Sequence, residues 1–162
     1  VNVGFNLVPA LMGEKVDAIV GAYWTHESIL MEMQGYPVRI LHMEEWGVPD
    51  FYELVLVTNQ DLVDTKQDVV ERFLRATARG FDDAIVDPES AVDVLVDTNP
   101  EVDKILEVQG IKLLAPLWTS KGQPFGSQSQ ERWEELAQWM KNVGLLKDEV
   151  DVSEAFTLDL LP

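Results

Sequence analysis

Tyr23, Trp24, His26 and Glu27 stand within five consecutive residues, directly after the apolar run Val16-Asp17-Ala18-Ile19-Val20. Flat rings can stack on a planar heterocycle, and a carboxylate can accept hydrogen bonds from an exocyclic amino group. Such groups recognise a ligand rather than transform it. Trp46, Tyr52 and Glu53 repeat the theme around Gly47 and Pro49, and Asn6 adds a polar group after an apolar start. Acidic and aromatic residues with few cations suit a neutral or cationic heteroaromatic ligand, and suit a phosphate or sulfonate poorly. A purely structural reading stays open at each position. Tyr23 and Trp24 would then cover a sheet edge, Glu27 would favour a helix N-terminus, and Trp46 and Tyr52 would pack at a hinge.

Catalytic chemistry has little support. His26 and His42 are the only histidines, too few for a multi-histidine metal site, and neither stands in an H-E-x-x-H pattern. Ser28 beside His26 and Glu27 is no triad signature, because triad members come from separate loops. There is no glycine-rich phosphate loop. With no cysteine, disulfides, thiolate metal sites and a cysteine nucleophile are excluded. We therefore expect no metal, no cofactor and no catalytic residue.

The elements that would position these side chains follow from periodicity. Residues 1–5, 16–22 and 38–41 read as strands, alternating with helices over 7–13 and from a Thr25 N-cap to Gln34, closed by Gly35. That order implies a parallel α/β unit, whose ligands bind beyond the carboxyl ends of the strands. Asn6 and the 23–27 loop would share that rim. Residues 51–58 read as a further strand and 66–86 as a long helix, with Pro88 and Pro100 each starting another. Residues 122–126 read as a turn. Ser127 with Gln130 resembles a capping box for a helix that Gly144 ends. The stripes Trp133/Met140 and Phe73/Phe81, with Trp118 and Phe125, read as core. The chain thus divides near residue 48 into an α/β piece, 1–48, and a hinge strand with a mostly helical remainder, 49–162.

With 162 residues, one domain or two small lobes are expected. Twenty-nine acidic residues against 12 basic ones give a formal charge of −17, a field that repels nucleic acid and anionic lipid. No apolar run is long enough to span a bilayer. The first residue is Val1 and no signal peptide precedes it, so a processed chain or a fragment is expected.

Three ordered stretches carry a resemblance over nearly the whole chain. They are Val1-Asn2-Val3-Gly4-Phe5-Asn6 running into "VDAIVGAYWTHE", then "WGVPDFYELVLVT", then "QPFGSQSQERWEELAQWMKNVGLL" with "AFTLDLLP". Together they resemble the thiamine pyrimidine-precursor-binding proteins of ABC importers, in the type 2 periplasmic-binding-protein superfamily. The resemblance implies two α/β lobes joined by hinge strands and closing on a ligand. Residues 1–48 would end the second lobe, and the rest would cross back and complete the first. It implies a non-enzymatic, extracytoplasmic protein, periplasmic or lipid-anchored, that hands an aminopyrimidine such as a formylaminopyrimidine to a membrane permease. Tyr23, Trp24 and Glu27 match the family's strand-end segment at the ligand site. The N-terminal part of the family's pattern is absent, including rings that would stack on the ligand's other face. Self-association, or pairing with that missing part, is therefore expected.

Two alternatives stand beside this one. The superfamily includes fungal pyrimidine synthases, which carry a cysteine-rich motif that this chain lacks. A binding protein for sulfonate, taurine or nitrate would want arginines at its cleft, and Arg39 is the only arginine in residues 1–48.

Overall fold

Short polar side chains set where four of the helices begin. Asn59, Asp87, Asp103 and Ser129 each accept a hydrogen bond from a backbone N–H of the first turn they precede, which satisfies donors that a helix leaves unpaired. In the computed structural model, residues 1–118 and 123–162 are described. They form α1 (Leu7–Met12), α2 (Glu27–Met33), a 3-10 turn (Met43–Trp46), α3 (Gln60–Thr65), α4 (Gln67–Val86), α5 (Pro88–Thr98), α6 (Lys104–Leu114), a second 3-10 turn (Ala115–Leu117) and α7 (Gln130–Asn142). The chain folds as two units, Val1–Ile40 with Asp82–Thr119, and Leu41–Phe81 with Ser120–Pro162.

In the first unit α6 is the central element. Helices α2 and α5 both pack on it, and α1 packs on α2. Ala10, Ile29, Met31, Ala84, Val92, Leu106 and Ala115 are buried there, and each larger member gains about 1.5–3 kcal/mol from leaving water. Helices α5 and α6 run antiparallel, joined on the surface by Lys104–Asp93 and, at 2.6 Å, by Lys112–Glu89. The hydrogen bond that the Lys104 ammonium donates to Asp93, aided by the carboxylate's charge, holds it above the ordinary lysine value. Exposed pairs of this kind add little stability.

The second unit is built around aromatic rings. Trp133 lies 5.9 Å from the Tyr52 ring and 6.4 Å from Phe156, and Phe81 stacks on Phe125 at 4.2 Å. Arg132 sits 4.8 Å over the Tyr52 ring, a contact worth about 0.5–1 kcal/mol at such a site. Tyr52 also accepts the Ser129 N–H at 2.8 Å, and the Trp133 indole donates to Gln128 at 2.8 Å. Ala78, Val152 and Leu160 are buried here.

Several sequence expectations meet a different structure. No strand is present among the described residues, and residues 1–5, 16–22, 38–41 and 51–58 are extended or irregular. A strand needs a neighbour to pair its N–H and C=O groups, so apolar content alone does not make one. The run ending at Val20, read as covered on both faces, leaves that residue 86% exposed. The expected α/β unit therefore meets a helical one here. Helix α6 starts at Lys104 under an Asp103 cap, not at Pro100. Helix α7 is capped by Ser129, which stands immediately before it, not by Ser127. His26, not Thr25, precedes α2, and Phe73 is 57% exposed rather than core. Gly122 lies outside the described residues, while Phe125 and Gly126 do form a turn. Helices α1, α4 and α5 and the stop at Gly144 fall where the pattern put them.

Candidate functional site

The loop before α2 is closed on itself by backbone geometry. Gly21 has φ +88°, a conformation that side chains disfavour, and turns the chain out of the apolar run. The Tyr23 carbonyl then accepts from both the His26 and Glu27 N–H groups at 3.0 Å. The Glu27 carboxylate accepts the Tyr23 N–H at 2.8 Å through Oε2. The Ser28 hydroxyl donates to the Trp24 carbonyl. These bonds close the loop and hold the Glu27 carboxylate against the Tyr23 backbone.

Helix α6 supports that loop from below. Thr25 is buried, and its carbonyl lies so close to Gly110 that a Cβ there would stand 2.5 Å from the oxygen. His26 lies between two carboxylates, with Nδ1 3.7 Å from Glu27 and Nε2 3.4 Å from Glu107 of α6. Tyr23 is exposed, Trp24 half-buried, and the Glu27 side chain 21% exposed. Glu27 is thus neither sunk in the interior nor turned freely to bulk water. Its Oε2 is engaged, while Oε1 makes no hydrogen bond to a described residue. That oxygen can accept from a ligand's amino group.

The other sequence-derived residues are distributed differently. Asn6 precedes α1, is exposed and makes no side-chain cap. It belongs to the first unit with Tyr23, Trp24 and Glu27, whereas Trp46, Tyr52 and Glu53 belong to the second. Trp46 ends the first 3-10 turn, 71% exposed, before Gly47 at φ +89°. Tyr52 is occupied in the aromatic packing already described, and Glu53 is exposed. The second unit also holds a shallow cavity of about 640 Å³ between the 47–49 loop and the α7 face carrying Glu134, Gln138 and Trp139. Among the described residues no cluster of histidines and carboxylates is arranged to hold a metal, and no helix is long and apolar enough to cross a membrane.

Sequence reasoning missed Glu107 and Gly110, the α6 residues that seat the loop. One signal was available: a glycine in mid-helix weakens the helix and so points to a close approach.

Comparison with known proteins adds to this geometry. Over 160 residues the chain is 29% identical to the formylaminopyrimidine-binding protein of Halalkalibacterium halodurans, covering 96% of this chain and 48% of that protein. It is 27% identical to the riboflavin-binding protein RibY of Chloroflexus aurantiacus, covering 99% and 47%. A Haemophilus influenzae protein named for thiamine biosynthesis is 26% identical, covering 95% and 48%. The chain therefore spans about half the length of the curated relatives it matches. The family model described as NMT1/THI5 like matches residues 1–91, more than half of the sequence. The chain belongs to the NMT1/THI5-like family.

Proposed function

We propose that this chain is part of a solute-binding protein that captures a flat nitrogen heterocycle, an aminopyrimidine first among them, for uptake by an ABC permease outside the cytoplasm. The carrying observation is the match to a formylaminopyrimidine-binding protein across 96% of the chain. The relative named for riboflavin supports the wider class, since riboflavin also presents a flat nitrogen heterocycle. The 23–27 loop has suitable chemistry, because Tyr23 and Trp24 supply a ring face and Glu27 Oε1 supplies an acceptor for an exocyclic amine. Asn6 is a candidate for a second polar contact, and Trp46, Tyr52 and Glu53 for the second unit's contribution. In the proposed mechanism two α/β lobes close on the stacked ring, which requires tighter binding to the closed state than to the open one.

The test is calorimetric titration of the protein containing these residues with a formylaminopyrimidine, riboflavin and taurine. An aminopyrimidine is expected to bind most tightly, and Glu27→Gln to weaken it at least about tenfold, equivalent to about 1.4 kcal/mol. The amide oxygen can still accept the Tyr23 N–H, so the loop itself survives the change. Tightest binding by taurine, or unchanged affinity in the variant, would overturn the assignment.

A further inference from the structure

His26 faces a carboxylate on each side of its ring, and the two belong to different helices. Nδ1 lies 3.7 Å from Glu27 Oε2 at the start of α2, and Nε2 lies 3.4 Å from Glu107 Oε1 in the first turn of α6. Among the described residues no other cation pairs with either carboxylate. The two lysines of α6 are engaged elsewhere, Lys104 with Asp93 and Lys112 with Glu89 of α5. Helix α1, which also packs on α2, carries no charged residue. His26 stands at the cap position of α2 yet makes no side-chain cap. Capping therefore does not account for where its ring points.

The proton count of the ring decides what this arrangement can hold. A neutral imidazole has one N–H and one lone pair, whereas the imidazolium has two N–H groups. The charged ring attracts both carboxylates. The neutral ring can meet one of them only by turning a lone pair on the other. Histidine changes charge between about pH 5 and about pH 8, so the double pairing belongs to the acidic side of that range and is lost as pH rises. The seat of the loop does not depend on it, because the Thr25 carbonyl rests against Gly110 through backbone alone. What changes is the hold on Glu27. Its Oε2 keeps the Tyr23 N–H at 2.8 Å but loses a charged neighbour.

We propose that His26, braced by Glu107, is a positioning residue for the Glu27 carboxylate and ties ligand capture to pH. This rests on the reading of Glu27 as the acceptor for a ligand's amino group. With the imidazolium in place, Oε2 is held from two directions and Oε1 is left in one orientation for the ligand. With the ring neutral, its single N–H is contested by two carboxylates whose like charges are no longer bridged. A carboxylate that must be ordered as the ligand arrives binds it more weakly. Capture is favoured in mildly acidic surroundings and release in mildly alkaline ones. The effect is modest, about threefold, because the three side chains are partly exposed and water screens them.

Two measurements on the protein containing these residues test the proposal, the first without ligand. In a carbon-detected NMR titration between about pH 5 and about pH 8, the Glu27 carboxylate signal is expected to move together with the His26 ring signals. That movement should vanish in His26→Gln. A Glu27 signal that ignores the ring overturns the proposal. The second measurement is calorimetric titration with a formylaminopyrimidine at about pH 6 and about pH 8. The ratio of the two affinities is expected to be about threefold larger in the unaltered protein than in His26→Gln, with Glu107→Gln between them. Protonation of the ligand is common to all three proteins and cancels in that comparison. Equal ratios with binding intact overturn the regulation and leave the ligand reading standing. No binding by any of the three at either pH, with the NMR movement intact, overturns the ligand reading and the regulation with it.

Discussion

Gly110 shows how much a single missing side chain can decide. The Thr25 carbonyl occupies the space a Cβ would need, at 2.5 Å, and so the candidate loop can seat on α6. Gly110→Ala is expected to destabilise the protein by about 1–3 kcal/mol, because rigid backbone must shift on both sides. Gly80, in α4, meets nothing within 4 Å of an added Cβ, and Gly80→Ala is expected to stabilise by about 0.4–1 kcal/mol. Urea denaturation of the two variants would separate these opposite signs; similar shifts in both would refute the close-approach argument. At this scale the sequence was informative about kind and silent about neighbours. Tyr23, Trp24 and Glu27 could be picked out by chemistry, and the structure holds them in one closed loop. Glu107 could not, since its closeness to His26 depends on how α6 packs. Thr25 does not cap α2, since His26 stands in that position; its carbonyl instead lies against Gly110 of α6.

Helix starts were legible where the cap is local and less so where several candidates compete. Asp87 before Pro88 gives an unambiguous start to α5. Near α7, by contrast, two serines stand two residues apart, and only the one immediately ahead of Gln130 caps. Hydrogen bonds from the Ser90 hydroxyl and N–H hold the Asp87 carboxyl below the ordinary aspartate value. A group lowered on folding contributes stability above its unfolded value, and that contribution is lost as pH falls through the folded one. Ser90→Ala is expected to move the Asp87 midpoint upward in a carbon-detected NMR titration, and acid loss of α5 should begin at higher pH. An unmoved midpoint would refute the role of the hydroxyl. Strands were the least legible elements, for a physical reason. Residues 16–22 and 51–58 have the composition, but ladder formation depends on a neighbour that composition does not specify.

Across the whole molecule, 29 acidic side chains against 12 basic ones oppose compaction. Screening weakens that repulsion, with a Debye length near 10 Å at about 0.1 M salt. The thermal midpoint is therefore expected to rise between about 0.02 M and about 0.5 M sodium chloride. A midpoint that falls instead would mean that the surface ion pairs outweigh the general repulsion. The family could be read from three ordered stretches, whereas the division into Val1–Ile40 with Asp82–Thr119 and its complement could not. A contact map that returns to an earlier segment leaves no compositional mark on the chain.

The stacking of Phe156 against Trp133, with Val152 and Leu160 buried nearby in sequence, bears on how the protein is handled at the bench. Residues beyond α7 lack regular structure and would look expendable to anyone trimming the chain for crystals. Removing them would uncap an indole ring and strip the second unit of much of its interior, leaving a sticky remnant instead of a tidier one.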